Sequence, residues 1–193
     1  MSKKVLVEIS ARHVHVTQEH LEILFGPGHQ LTPKKLLSQP GQFAAEERVD
    51  VIGPRSTLKG VSILGPCRKA SQVEITKTEA RGLGVNALLR ESGHIEGTTG
   101  ITLVGPQGRV DLNEGLIVAK RHVHLTPQNA EALGVQNGQI ISVRIDENER
   151  SLVFGDVVIR VSDQFSPAMH IDTDEANAAG ISFEAMGELI IEE

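Results

Sequence analysis

One pattern is written twice in this chain: ISARHVHVTQEHLEIL at 9–24 and VAKRHVHLTPQNAEAL at 118–133. Each copy reads as an apolar strand, Arg-His-Val-His, a threonine placed to cap a helix, and then the helix itself. Two copies of one supersecondary unit predict two related subdomains. The second copy runs closely into LGVQNGQIISVRI, whereas the comparable LGV of the first half waits until residues 83–85. The first half is therefore interrupted or permuted. The Pro/Gly/Gln-rich stretch from Gly26 to Phe43, within a segment of about 26–46, is the expected insertion.

The remaining sequence points to β structure. Short apolar or alternating runs recur: VLVEI (5–9), RVDVIG (48–53), VSILG (61–65), QVEIT (72–76), GITLVG (100–105), GLIVAK (115–120), QIISVRI (139–145), SLVFGDVVIRV (151–161) and ELIIEE (188–193). Their length and β-branched content favour strands. Gly-Pro pairs at 26–27, 53–54, 65–66 and 105–106 punctuate them, because neither residue continues a ladder comfortably. With no Trp or Tyr and only five Phe, the core must be built mainly from Val, Ile, Leu and Ala. Short helices are expected at TPQNAEALG (126–134), LTPKKLL (31–37), TKTEARGLG (76–84) and DTDEANAAG (172–180), several with a capping Thr or Asp and a terminating Gly. Strands separated by such brief helices suggest compact barrels, with a plain sandwich as the other arrangement.

Several function classes lose support. A formal charge of −6 and no Lys/Arg cluster leave no basic footprint for nucleic acid or an anionic membrane surface, although a few local arginines could hold a small anion. No P-loop, nucleotide fingerprint or Gly-x-Ser-x-Gly elbow is present. The N-terminal MSKKVLVEIS has only three consecutive apolar residues before Glu8, too few for a secretory signal. No run approaches the length of a membrane span. Cys67 is the single cysteine, which suits a reducing compartment, and the expected location is the cytoplasm.

The paired histidines are the candidate chemistry. In a strand, residues i and i+2 share a face, so His13 and His15 present two imidazoles side by side, as do His122 and His124. Such pairs suit a divalent metal, and one pair alone reads equally as a solvated strand face. Four histidines alone would close one structural zinc site, whereas a catalytic arrangement needs further ligands and an open position. His170, in SPAMHIDTDEANAAG, and Glu74, in SQVEIT, are the further candidates. Taken singly they read as a surface histidine and a solvated strand carboxylate. Arg68, in GPCRKASQVE, follows a Gly-Pro turn and has the planar fork for an oxyanion. Cys67 reads as a small buried side chain, and His20, His29 and His94 as ordinary histidines.

The motifs ISARHVHVT, GPCRKASQVEIT, KRHVHLTP and MHIDTDEANAAG, in that order and spanning nearly the whole chain, resemble the PduL-type phosphotransacylases, also called phosphate propanoyltransferases. These enzymes reversibly convert acyl-CoA and phosphate to acyl phosphate and CoA, and several serve bacterial microcompartments such as those for propanediol use. The resemblance implies a mainly β fold of two related β-barrels with short capping helices and a dinuclear metal site, usually zinc, at the barrel interface. It implies a first barrel of 1–11 plus 120–193 and a second of 12–119. His13, His15 and His170 would hold one metal and Glu74, His122 and His124 the other, with Arg68 on phosphate. Ser10, Arg48, Arg55 and Asn177 fall where the family contacts CoA. Encapsulated members carry an amphipathic N-terminal helix, whereas here the first strand is expected by Val5, so a cytosolic enzyme or one carried in by a partner is expected. The resemblance leaves room for a homo-oligomer and for functional links to an aldehyde dehydrogenase and an acyl kinase.

Thioester phosphorolysis with phosphate as the direct nucleophile would use these residues without a side-chain nucleophile. Two other readings share the same ligands: a dinuclear metallohydrolase acting as thioesterase or phosphoesterase, and a non-catalytic zinc-stabilised binding module.

Overall fold

The computed structural model describes residues 3–146, 149–183 and 185–191; Glu192 and Glu193 of the expected last strand lie outside them. The chain is mainly β and divides into two compact units, Arg12–Ala119 and Met1–Ala11 with Lys120–Glu193.

The unit Arg12–Ala119 follows β1 (Lys4–Ile9), which belongs to the other unit. It contains β2 (His13–His15), α1 (Gln18–Phe25), β3 (Pro33–Leu36), β4 (Phe43–Ile52), β5 (Thr57–Gly65), β6 (Gln72–Glu74), α2 (Lys77–Leu83), β7 (Leu88–Arg90), β8 (Thr99–Val104) and β9 (Arg109–Ala119). Six of these strands pair in a closed ring, β4-β5-β2-β6-β9-β8 and back to β4. β3 joins the start of β4, and β7 joins the end of β9.

The other unit contains β10 (His122–Leu125), α3 (Pro127–Leu133), β11 (Ile140–Ile145), β12 (Leu152–Val161), β13 (Ala168–Ile171), α4 (Thr173–Ala179) and β14 (Ala185–Ile190). With β1 they close the barrel β1-β13-β10-β12-β11-β14. The two rings agree pair for pair in direction. β2 is parallel to β5 and antiparallel to β6, as β10 is to β12 and β13. The parallel step from β6 to β9 recurs as that from β13 to β1. The position that β9 fills at the end of one copy is thus filled in the other by the first strand of the chain.

Alternation decides which side chains fill each ring. Val7, Val123, Ile145, Ile159 and Met169 are fully buried in one core, and Val14, Leu24, Ile63, Leu83, Leu103 and Leu116 in the other. The odd-even pattern then sends His13, His15 and Glu74 to the face opposite Val14 and Val73, and His122, His124 and His170 to the face opposite Val123 and Met169.

The four helices among the described residues are capped as their sequences predict. Thr17, Thr76, Thr126 and Asp172 each accept a hydrogen bond from the backbone N–H three residues on. Gly84, Gly134 and Gly180 end their helices in the left-handed conformation. Glu79 and Glu175 complete capping boxes, and the repeated arginines reach those same residues: Arg12 lies 2.7 Å from Glu79 and Arg121 lies 3.4 Å from Glu175. The Arg of Arg-His-Val-His therefore ties the histidine strand to the helix that follows the neighbouring strand.

LTPKKLL forms no helix. Pro33–Leu36 is a strand, exposed along its length and antiparallel to β4. The segment has no apolar stripe at helical spacing and no terminating glycine, so pairing with the open start of β4 prevails over the Thr-Pro signal. Arg-His-Val-His does not continue the strand before it either: β1 ends at Ile9, the Ser10 N–H donates to Ile171 O, and the chain crosses into the other unit before β2. Strands at Leu88–Arg90 and Ala168–Ile171 have no counterpart in the expected set. No helix among the described residues is long and apolar enough to cross a membrane.

Candidate metal centre

Each ring carries one triad of metal-ligating side chains, His13, His15 and Glu74 in one and His122, His124 and His170 in the other, with the ligand atoms within 4.8 Å of one another. The register produces both. Glu74 on β6 lies directly opposite His13 on β2, and His170 on β13 lies directly opposite His122 on β10. Directly opposed residues leave a sheet on the same face, so each histidine pair meets one further ligand from the strand beside it. The structure thus groups His170 with His122 and His124, and Glu74 with His13 and His15, unlike the division that the resemblance implies.

In the first triad Glu74 Oε1 is 3.5 Å from His13 Nε2 and 4.0 Å from His15 Nε2. All three residues are buried. The same Oε1 accepts hydrogen bonds from Gln72 Nε2 at 2.6 Å and Ser92 Oγ at 2.6 Å. Burial pushes the Glu74 carboxyl up, but His13 by charge and hydrogen bond, with His15 and Ser92, outweighs it and holds the group well below the usual carboxylate range. Burial, His13 and Arg68 together push His15 well below the usual histidine value. Its Nδ1–H donates to Leu64 O at 3.2 Å, which leaves Nε2, 4.0 Å from Glu74 Oε1, with its lone pair available to a metal.

The second triad has only imidazoles. Ring centroids lie 4.6 Å apart for His122 and His124, 5.2 Å for His122 and His170, and 4.9 Å for His124 and His170. His122 Nδ1–H donates to Lys120 O at 2.8 Å, which fixes the tautomer of that ring. Among the described residues, neither ring nitrogen of the buried His124 has a hydrogen-bond partner. Burial, then His122, His170 and Arg160, push its pKa down to about 2. An uncharged, unpartnered imidazole in a cluster of three fits a metal ligand, since a buried nitrogen without a partner is costly in any other role. Phe165 stacks on His124 with centroids 3.9 Å apart, shielding that ring from water.

Arg68 is half-buried beside the first triad, with Nη1 donating to Ser92 Oγ at 3.2 Å. The residues expected at CoA are distributed between the units. Ser10, half-buried, follows β1; Asn177 is exposed on α4; Arg48 is exposed on β4 and donates to Gly60 O at 2.8 Å. Arg55 is exposed and lies against Gly84. Cys67 is only half-buried, contrary to expectation, with Sγ 3.7 Å from Gln18 Oε1, because the turn that carries it lies at the core's margin.

Sequence reasoning missed Gln72 and Ser92. Gln72 is two residues before Glu74 on the same strand face, a spacing that marks it as a neighbour; Ser92 arrives from a turn after β7, and no local signal announces it.

Comparison with known proteins agrees. The family model for phosphate propanoyltransferase matches residues 6–182. The chain is 55% identical over 175 residues to a phosphate propanoyltransferase of Leptotrichia buccalis, covering 91% of this chain and 82% of that one. It is 52% identical to the enzyme of that name from Enterococcus faecalis, covering 95% and 87%. The corresponding protein of Salmonella typhimurium is 51% identical, with 89% and 81% covered.

Proposed function

The chain belongs to the phosphate propanoyltransferase family, and on that premise we propose that it transfers a short acyl group reversibly between CoA and phosphate with the help of two divalent metal ions, zinc foremost. His13, His15 and Glu74 would hold one ion, and His122, His124 and His170 the other. The observation that carries this reading is the unpartnered His124 within its triad, repeated in register by the Glu74 triad of the other ring. Bound divalent cations supply Lewis acidity toward the thioester carbonyl and charge neutralisation toward phosphate.

The chain's own residues do the rest. Arg68, which donates from Nη1 to Ser92, binds the phosphate dianion with its guanidinium. Ser92 and Gln72 fix Glu74 Oε1, so the carboxylate stays ionised and aimed. Lys120 O and Leu64 O fix the tautomers of His122 and His15. Ser10, Arg48, Arg55 and Asn177 contact CoA. A phosphate oxygen forms the bond to the acyl carbon, the C–S bond breaks, and CoA departs as the thiolate, so no side-chain nucleophile is needed. The lone cysteine and the use of CoA thioesters support a cytoplasmic setting, between an aldehyde dehydrogenase that supplies acyl-CoA and a kinase that consumes acyl phosphate.

The test is an assay of purified protein with acetyl-, propionyl- and butyryl-CoA, with and without phosphate, beside metal analysis. Loss of acyl-CoA only when phosphate or arsenate is present supports the transferase. Equal loss without either would make the protein a metallohydrolase, and no turnover with tightly held metal would make it a binding module.

A further inference from the structure

Arg160 stands on β12 at the register of His124. Paired residues share a sheet face, so its guanidinium lies on the face that carries His122, His124 and His170. The guanidinium carbon is 5.7 Å from the centroid of the Phe165 ring, and that ring in turn stacks on His124. Cation, phenyl ring and imidazole form one layered group at the triad. Arg160 is half-buried, and among the described residues its guanidinium has no ion pair and no hydrogen bond.

A half-buried cation at the triad without an anion among the described residues is placed to take one from a ligand. The fold does not require it. In the other ring the residue one step past the His13–Ser62 and Val14–Ile63 pairs of β2 and β5 is Leu64, an aliphatic side chain in the equivalent place. There the arginine beside the triad comes instead from the Gly-Pro turn, as Arg68. Each triad thus has one arginine near it, delivered by an unrelated part of the backbone. Every substrate of this reaction carries phosphate: inorganic phosphate, acyl phosphate, CoA and acyl-CoA. A planar fork of N–H donors matches that group bidentately.

We propose that Arg160 is a phosphate-binding residue of this reaction, engaging a phosphate group of a substrate beside His122, His124 and His170. The proposal rests on the functional reading above and adds a second cationic group to Arg68.

Its test compares the metal-loaded wild-type protein with Arg160→Ala, Arg160→Gln and Arg160→Lys, in both reaction directions. Removing a charged hydrogen bond to the substrate, with the fold intact, raises KM about tenfold or more, and Arg160→Lys recovers part of it. A rise confined to phosphate and acyl phosphate assigns Arg160 to the transferred group. A rise confined to CoA and acyl-CoA, and absent for a pantetheine thioester, assigns it to the CoA phosphates. Calorimetry with inorganic phosphate and with CoA reads the same interaction without turnover. Unchanged KM and unchanged binding of both probes in a folded, metal-loaded Arg160→Ala protein would overturn the proposal. So would a loss traced wholly to reduced metal content. A wild-type protein that turns over acyl-CoA without phosphate, or not at all, would refute the functional reading instead, with the calorimetric comparison still deciding Arg160.

Discussion

Glu74 and His170 occupy one and the same position in two copies of a single ring, each directly opposite the first histidine of a His-Val-His strand. One copy places a carboxylate there and the other an imidazole, so two different donor types share one backbone geometry.

Each triad should therefore lose its metal independently. In Glu74→Gln and in His170→Gln, bound metal is expected to fall from about two equivalents to about one, since a ligand removed from a three-residue set leaves too few donors. Elemental analysis of the purified variants checks this, and retention of both equivalents in either variant would contradict the assignment of that residue.

Gln72 should matter through Glu74. Its buried amide donates to Glu74 Oε1 at 2.6 Å and its carbonyl oxygen accepts from the Gly93 N–H at 2.8 Å. Gln72→Ala is expected to weaken metal binding at that triad by about 10- to 100-fold, as for other residues that orient a ligand. The readout is chelator competition, with the second triad's affinity unchanged.

The core prediction separates stability from chemistry. Ile159 is fully buried within the barrel, so Ile159→Ala should cost about 2–5 kcal/mol. Thermal melts should show the loss while metal stoichiometry at low temperature stays at the wild-type value.

Glu47 gives a pH dependence away from both triads. Burial raises its pKa, but the Thr32 N–H, then His29 and the Thr32 hydroxyl, lower it further, for a net depression; His29 Nε2 is 2.9 Å away. The folded pKa is below the unfolded one, so the folded state binds fewer protons in that range. The stabilisation is fully present above the unfolded carboxylate pKa and is lost as pH falls through the folded value. Glu47→Gln should lower stability near neutral pH by about 1–3 kcal/mol, and the gap to wild type should shrink in melts taken below the ordinary carboxylate range.

The strands and three of the four proline- or cap-marked helices were legible because β-branched runs and Thr or Asp caps act locally. The histidine pairs were legible because i and i+2 share a face in any strand. What the sequence could not show was register. Nothing near Glu74 says that it faces His13, because β2 and β6 meet only through the ring. Pro33–Leu36 escaped for the same reason: its strand conformation is imposed by Phe43–Ala45, a partner it meets only after folding. Arg160 gave no signal at all, being one charged residue in an alternating run until its pairing with His124 is known.

The borrowing of β1 by the second ring also bears on how the chain is made. Synthesis delivers β1 before the other described strands, yet both of its neighbours, β13 and β14, come after Ser166. All strands of the unit Arg12–Ala119 emerge in between, so that ring can close on the ribosome while β1 still waits with both edges bare. β1 is made before every strand it pairs with, and its barrel closes only after β14 has emerged.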